Sequence, residues 1–380
     1  MSTPAPCRKT PHVSLPPSPA AGVARSTDTT AALDAATART APRPPPWLLG
    51  GHAQTIIPSL WLPKAAVPYR RERWTTPDGD FIDLDWADGD APIPLATSMP
   101  NSSPRAAPRF QDKRPLLVLF HGLEGSSDSH YARALASAAL RRGWRAVIPH
   151  FRSCSGEMNL APRFYHSGDA AEIDWILDRL AGVLPPGVPM HAAGVSLGGN
   201  ALLRWLGEQG QSAHRRVRAA AAISAPLDLA AGGHSLAQGF NQIYTRHFLQ
   251  TLKQKSATKW QQFPRLFALE KMQAAQNLHA FDNVVTAPLH GYRDADDYWH
   301  RASSKPVLSA IHVPTLVLNA RNDPFLPRWA LPGPAEVSRA VTLMQPDRGG
   351  HVGFTARGDT TTDSWLARCV LGFLGKHEER

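Results

Sequence analysis

Three side chains in this sequence have the types and order needed for nucleophilic catalysis: Ser196, Asp323 and His351. Ser196 stands in Met190-His-Ala-Ala-Gly-Val-Ser-Leu-Gly-Gly-Asn200, where Gly194, Ser196 and Gly198 form G-x-S-x-G. Small and apolar residues precede it and a helix-like pattern follows. A serine on such a strand-to-helix turn has a strained backbone and a side chain pushed clear of the sheet. The flanking glycines are needed because a Cβ at either position would clash where the strand folds onto the helix. The helix then directs the partial positive charge of its N-terminus at whatever reacts with Ser196. Alone the pattern is weak. Its partners give it weight.

A serine hydroxyl needs a base to take its proton, and the base needs a third group to orient it. On this kind of turn the partners follow in the order Ser, acid, His. Beyond Thr315 the chain has two histidines, His351 and His377. His377 lies in the charged, solvated tail Lys376-His-Glu-Glu-Arg380. His351 sits in Arg348-Gly-Gly-His-Val-Gly-Phe354, just after the last expected strand, where glycines let a loop carry an imidazole over the sheet edge. His351 is therefore the expected base. Asp323 leaves the end of a strand in Thr315-Leu-Val-Leu-Asn-Ala-Arg-Asn-Asp-Pro324 and is the expected acid. Asp347 is its rival, but lies too near His351 in sequence to reach the far ring nitrogen. Glu336 is expected to start a helix, and Asp294, Asp296 and Asp297 belong to an insert.

An oxyanion hole needs two backbone donors. Leu197 follows the nucleophile and supplies one. Leu123 supplies the other from His121-Gly-Leu-Glu-Gly-Ser-Ser127, where Gly122 lets the backbone turn inward. His121 is excluded as the base by chain order and reads as structural. Ser235, in Gly233-His-Ser-Leu-Ala237, resembles a variant turn, but Asp228 and Gly232 break any buried strand before it. Cys154, in Arg152-Ser-Cys-Ser-Gly156, carries no mark of an activated thiol.

These residues must be positioned by repeated strand-helix units. Arg70–Thr75 and Phe81–Trp86 flank Pro77-Asp-Gly-Asp80 as a hairpin. Strands are expected at 116–120, 145–149, the stretch before Ser196, 217–224, 315–319 and 341–344. Helices are expected at 129–142, 168–180, after Ser196 and at 364–374. The alternation predicts an α/β fold with a mostly parallel sheet flanked by helices, and ligands bind such sheets at the carboxyl ends of the strands. Residues 1–44 are rich in Pro, Ala, Thr and Ser and read as a disordered tail. The domain runs over 45–376, interrupted by a Pro-rich surface insertion at about 91–114 and a helical cap insertion at about 229–302. In the cap, Phe240, Ile243, Tyr244, Phe248, Leu249 and Leu252 recur at helical spacing, chiefly to anchor it.

The net charge is +10, but Arg and Lys are scattered with no basic run interleaved with aromatics. A solvated surface is expected, with no nucleic-acid partner. The cap residues Arg246, Lys253, Lys255, Lys259 and Arg265 read as a solvated helix face ahead of a lipid-contacting one. Cys7, Cys154 and Cys369 lie far apart, so neither a disulfide framework nor a zinc site is implied. With no H-E-x-x-H, Walker loop or G-x-G-x-x-G, no metal and no nucleotide cofactor is expected. No signal-peptide core or apolar run of spanning length occurs, which leads to the expectation of a soluble cytoplasmic protein.

The chain resembles the α/β-hydrolase superfamily, and within it the YheT-like branch of carboxylesterase-type proteins. The residues carrying this are Gly50-Gly-His-Ala-Gln-Thr55, His121-Gly-Leu-Glu-Gly-Ser126, His150-Phe-Arg-Ser-Cys-Ser-Gly-Glu157 and Arg163-Phe-Tyr-His-Ser-Gly168. To these are added Gly194-Val-Ser-Leu-Gly-Gly-Asn200, Asn322-Asp-Pro324 and Gly349-Gly-His-Val-Gly-Phe354. The resemblance implies a Ser196-Asp323-His351 charge relay acting on short or medium acyl esters. Gly50–Thr55 and Arg163–Gly168 are expected to brace loops near the site, and Ser153 stands where the branch often has glycine. The expected partner is a small-molecule or lipid-like ester. The alternatives are an acyltransferase that passes the acyl group to an alcohol, and a non-catalytic binding module on the same scaffold.

Overall fold

A computed structural model describes residues 41–61, 63–88 and 112–378. The chain divides into the units Met1–Arg39 and Thr40–Arg380, and the described residues lie in the second. The expected tail and Pro-rich insertion therefore lie outside the described residues, except at 41–44 and 112–114.

The elements run α1 (Gly50–Leu60), β1 (Arg70–Thr75), β2 (Phe81–Ala87), β3 (Leu116–Phe120), α2 (His130–Arg141), β4 (Arg145–Pro149), α3 (Ala170–Val183), β5 (Met190–Val195), α4 (Leu197–Gln209) and β6 (Ala219–Ile223). A helical segment follows, with α5 (Leu229–Leu236), α6 (Gln242–Gln262), α7 (Leu269–Ala274), α8 (Leu278–Val284), α9 (Thr286–Leu289) and α10 (Ala295–Ala302). Then come β7 (Thr315–Leu318), β8 (Val341–Met344) and α11 (Trp365–Gly375). The eight strands form one sheet in the order β1-β2-β4-β3-β5-β6-β7-β8. Pairing is antiparallel from β1 through β2 to β4 and parallel from there on.

Period-two alternation places the core on both faces of this sheet. Leu116, Val118 and Phe120 pack with Ile173 and Leu177 of α3 and Leu202 and Leu206 of α4. Leu117 and Leu119 point the other way, into the layer of Leu135 on α2 and Val370 and Leu374 on α11. Strands buried on both faces read as continuous apolar runs, which is why β3 and β6 are fully buried along their lengths. The parallel strands bring five loops to one carboxyl edge. These carry Leu123, Ser196, Ser224, Asp323 and His351.

The helix α1 is not foreshadowed by periodicity. It opens on Gly50 and Gly51 and contains Pro58, residues that weaken a helix in isolation. Its buried residues are Gln54, Thr55 and, one turn on, Pro58; Gln54 and Thr55 bond to the loops of Asp323 and His351, so packing sustains it.

Candidate active site

Ser196 lies between β5 and α4 with φ 52° and ψ −120°, a region side-chain-bearing residues seldom adopt. Its N–H donates to Ile223 O at 2.8 Å, tying the turn to β6. A Cβ on Gly194 would lie 2.4 Å from Gly198 O, and one on Gly198 would lie 2.4 Å from His121 O. The glycines of the motif are thus required by contact between the turn, its own helix and the end of β3.

His351 Nε2 lies 2.9 Å from Ser196 Oγ, and His351 Nδ1 lies 2.9 Å from Asp323 Oδ2. A carboxylate can only accept, so Nδ1 carries the hydrogen and Nε2 offers its lone pair to the serine hydroxyl. The other oxygen of Asp323, Oδ1, accepts from Phe325 N at 2.8 Å. The Phe325 ring stacks on the imidazole with centroids 4.0 Å apart, which limits its rotation.

The loop bearing His351 is fixed through four consecutive amides. Gly349 N donates to Gln54 Oε1 at 2.9 Å, Gly350 N to Asn322 Oδ1 at 3.0 Å, His351 N to Thr55 Oγ1 at 2.8 Å and Val352 N to Ser224 Oγ at 3.0 Å. Asn322 Nδ2 also donates to Gln54 Oε1, at 3.0 Å. Gln54 therefore joins the acid loop to the histidine loop. A Cβ on Gly353 would fall 1.7 Å from Gln54 O, so α1 and this loop meet backbone to backbone.

On the other side of Ser196, a Cβ on Gly122 would lie 3.2 Å from the Cβ of Ser196. The amides around Leu123 have fixed acceptors: Gly122 N donates to Tyr131 Oη at 2.8 Å, Glu124 N to Tyr165 Oη at 2.8 Å and Gly125 N to Gly122 O at 3.0 Å. The Leu123 N–H has no acceptor among the described residues. Leu197 opens α4, so its N–H has no intrahelical partner either.

His121 is fully buried. Its Nε2 accepts from Phe151 N at 3.0 Å, so its Nδ1 donates to Gly122 O at 2.8 Å. Burial pushes its pKa down to about 3, and it serves as a neutral strut of the loop. Asp347 is exposed and pairs with Arg321, away from His351. Glu336 ends a short 3-10 turn, Pro334–Glu336, and Asp294 caps α10. Ser235 lies within α5, and its hydroxyl donates to Pro324 O at 3.1 Å. Burial pushes the Cys154 thiol up to about 12 against the opposing charge of Lys255, so it is not a thiolate near neutral pH.

Glu336 thus ends a turn where a helix start is expected, and a second expectation needs correction. Lys255 and Lys259 do not belong to a solvated helix face. Lys259 is fully buried, with Nζ donating to Ala161 O at 3.0 Å and to Asn159 O. Lys255 Nζ sits 2.8 Å from Glu124 Oε2. The apolar spacing of α6 hid this, because long basic side chains reach inward from positions that read as surface.

Gly50–Thr55 and Arg163–Gly168 gain definite places. The second segment is held by Asn200, fully buried, whose Nδ2 donates to Ser167 O and Ala302 O at 2.8 Å each. Ser153, in the loop that Asn159 completes, has φ 65°, the backbone region glycine adopts most freely.

A cavity of about 130 Å³ opens beside Ser196. Leu123, Leu197 and His351 line it from the sheet edge, and Phe248, Leu252, Phe281, Val285 and Trp299 line it from the helical segment. Among the described residues no helix is long and apolar enough to cross a membrane.

A serine presented on a strand-to-helix turn at the carboxyl edge of such a sheet defines the class. Residues 115–355 match the family described as alpha/beta hydrolase fold, and this chain belongs to that family. It is 36% identical to the Escherichia coli (strain K12) protein named "Putative esterase YheT", over 86% of this chain and 91% of that one. It is 31% identical to the Homo sapiens protein named phospholipase ABHD3, over 82% of this chain and 73% of that one. The crystal structure of the alpha/beta hydrolase GrgF from Penicillium sp. sh18 superposes with a TM-score of 0.52 at 15% identity. That match covers 83% of this chain and all (100%) of the other, and it bears on the fold alone.

Proposed function

We propose that the protein is a carboxylic ester hydrolase that works through an acyl-enzyme on Ser196, with His351 as base and Asp323 as its orienting acid. The observation carrying this reading is the chain of two 2.9 Å contacts from Asp323 through His351 to Ser196, opening onto an apolar cavity. Kinship with proteins named esterase and phospholipase supports ester hydrolysis as the reaction.

In the first half-reaction, Ser196 Oγ bonds to the acyl carbon as its proton passes to His351 Nε2. The carbonyl π pair moves onto oxygen, and the amides of Leu123 and Leu197 receive that charge. Collapse of the intermediate expels the alcohol, which takes the proton from His351. Water repeats the sequence on the acyl-enzyme and releases the acid. Asp323 holds the imidazole in the tautomer that can accept the proton. The helices from Leu229 to Ala302 form a cap over the site, and the mainly apolar lining of the cavity, with Phe248, Leu252, Phe281 and Val285, supports an acyl chain, short or medium in this reading, as its occupant.

The test is hydrolysis of p-nitrophenyl esters from acetate to decanoate by wild type, Ser196→Ala and Ser235→Ala. Activity lost in Ser196→Ala and kept in Ser235→Ala supports the reading. Activity surviving in Ser196→Ala overturns it.

A further inference from the structure

Glu124 follows Leu123 in the loop after β3 and has φ 56°, a left-handed backbone that side-chain-bearing residues seldom adopt. Three contacts hold it there. Its N–H donates to Tyr165 Oη at 2.8 Å, and the same hydroxyl donates to Glu124 Oε1 at 2.9 Å. Lys255 Nζ, from α6, approaches Oε2 at 2.8 Å. Tyr165 cannot easily move, because its ring is buried and stacked on Phe151 at 5.2 Å and 6°. The Glu124 side chain is only 10% exposed, so its charge depends on these partners more than a surface carboxylate would.

We propose that Glu124 is a positioning residue for the oxyanion. Clamped by Tyr165 and Lys255, it fixes the left-handed turn and so the aim of the adjacent Leu123 N–H. Through Lys255, the helical segment over the site takes part in setting the rate of the chemical step. This inference rests on the reading of Leu123 as an oxyanion donor to an ester bound at Ser196.

The position of a donor matters because it acts on charge that develops only as the carbonyl is attacked. A donor displaced by a fraction of an ångström still lets substrate bind but stabilises the intermediate less. The signature is therefore a fall in kcat with KM nearly unchanged. An inhibitor that forms the tetrahedral adduct reads the same effect. With an alkyl trifluoromethyl ketone, Ser196 Oγ bonds to the carbonyl carbon, the proton goes to His351 and the resulting alkoxide lies in the hole.

The variants are Tyr165→Phe, Lys255→Met, Lys255→Arg and the double variant Lys255→Met with Glu124→Gln, which removes the ion pair of the clamp without leaving an unpaired buried charge and keeps the Tyr165 contacts. The double variant is expected to lower kcat about 10- to 100-fold, with KM within about twofold and trifluoromethyl ketone affinity reduced in parallel with kcat. Tyr165→Phe and Lys255→Met are expected to lose about 3- to 30-fold each, and Lys255→Arg to recover about half of the wild-type rate. If Ser196→Ala abolishes turnover while the double variant keeps wild-type kcat and inhibitor affinity, the clamp is overturned and the hydrolase reading stands. A loss confined to KM overturns it equally. If Ser196→Ala stays active, the hydrolase reading itself has failed.

Discussion

At the residue scale, the proposal turns on which ring nitrogen of His351 carries the hydrogen. Asp323 sets this through Nδ1, and an amide in its place can present its NH2 group instead, reversing the tautomer and blocking Nε2 as a base. Asp323→Asn is expected to lower kcat about 10³- to 10⁴-fold with little change in fold, measurable as p-nitrophenyl butyrate turnover against an unchanged circular dichroism spectrum. Gly198→Ala is a different kind of change. Its Cβ would lie 2.4 Å from His121 O and 2.6 Å from Phe120 O, both backbone atoms. The turn must shift away from β3, and a loss of about 3 kcal/mol or more in urea stability is expected along with the activity. The residues proposed to carry the chemistry stand out in the sequence because glycine spacing and chain order constrain them tightly. Ser224 does not. A serine that accepts one amide hydrogen, from Val352, leaves no periodic or compositional mark.

At the element scale, α1 and the helical cover carry the consequences. Gln54 Oε1 serves both Asn322 Nδ2 and Gly349 N, so Gln54→Ala strands a buried amide and frees two loops at once. About 1–3 kcal/mol of stability should be lost, with kcat falling further than stability requires, read from urea midpoints and turnover on the same preparation. The motif Gly50–Thr55 could be seen in the sequence, but its partners are some 270 to 300 residues away in the chain, and local pattern cannot report them. In the cover, Asp282 receives Thr286 Oγ1 at 2.6 Å and Trp299 Nε1 at 2.8 Å. Burial pushes its carboxyl from 3.8 up to about 6. Between those values the unfolded chain has released a proton that the folded chain keeps, so this group's contribution to stability declines as pH rises from 3.8 through about 6. An asparagine can donate to Thr286 Oγ1 and accept from Trp299, so Asp282→Asn should keep both bonds and lose the pH dependence. Urea midpoints at pH 4 and pH 8 should differ less in the variant, by about 2 kcal/mol in the implied stability.

At the scale of the whole molecule, the parallel sheet acts as a bracket that brings five loop-borne groups to one edge. The strand-helix alternation made this architecture readable, since β3, β5, β6 and β7 are short apolar runs between helical stretches. The interior of the helical segment was less readable. Lys259, fully buried and bonded to two carbonyls, sits on a helix whose composition suggests an exposed surface, because a buried cation is stabilised by tertiary partners that its neighbours in sequence do not announce. The central claim is that Ser196 forms the acyl-enzyme, and it can be tested most directly by treating the protein with a fluorophosphonate and mapping the adduct by peptide mass spectrometry. The account predicts one modified residue, Ser196, with hydrolysis of p-nitrophenyl butyrate lost in proportion to labelling. An adduct on Ser235 or another side chain, or full turnover after stoichiometric labelling of Ser196, would contradict it.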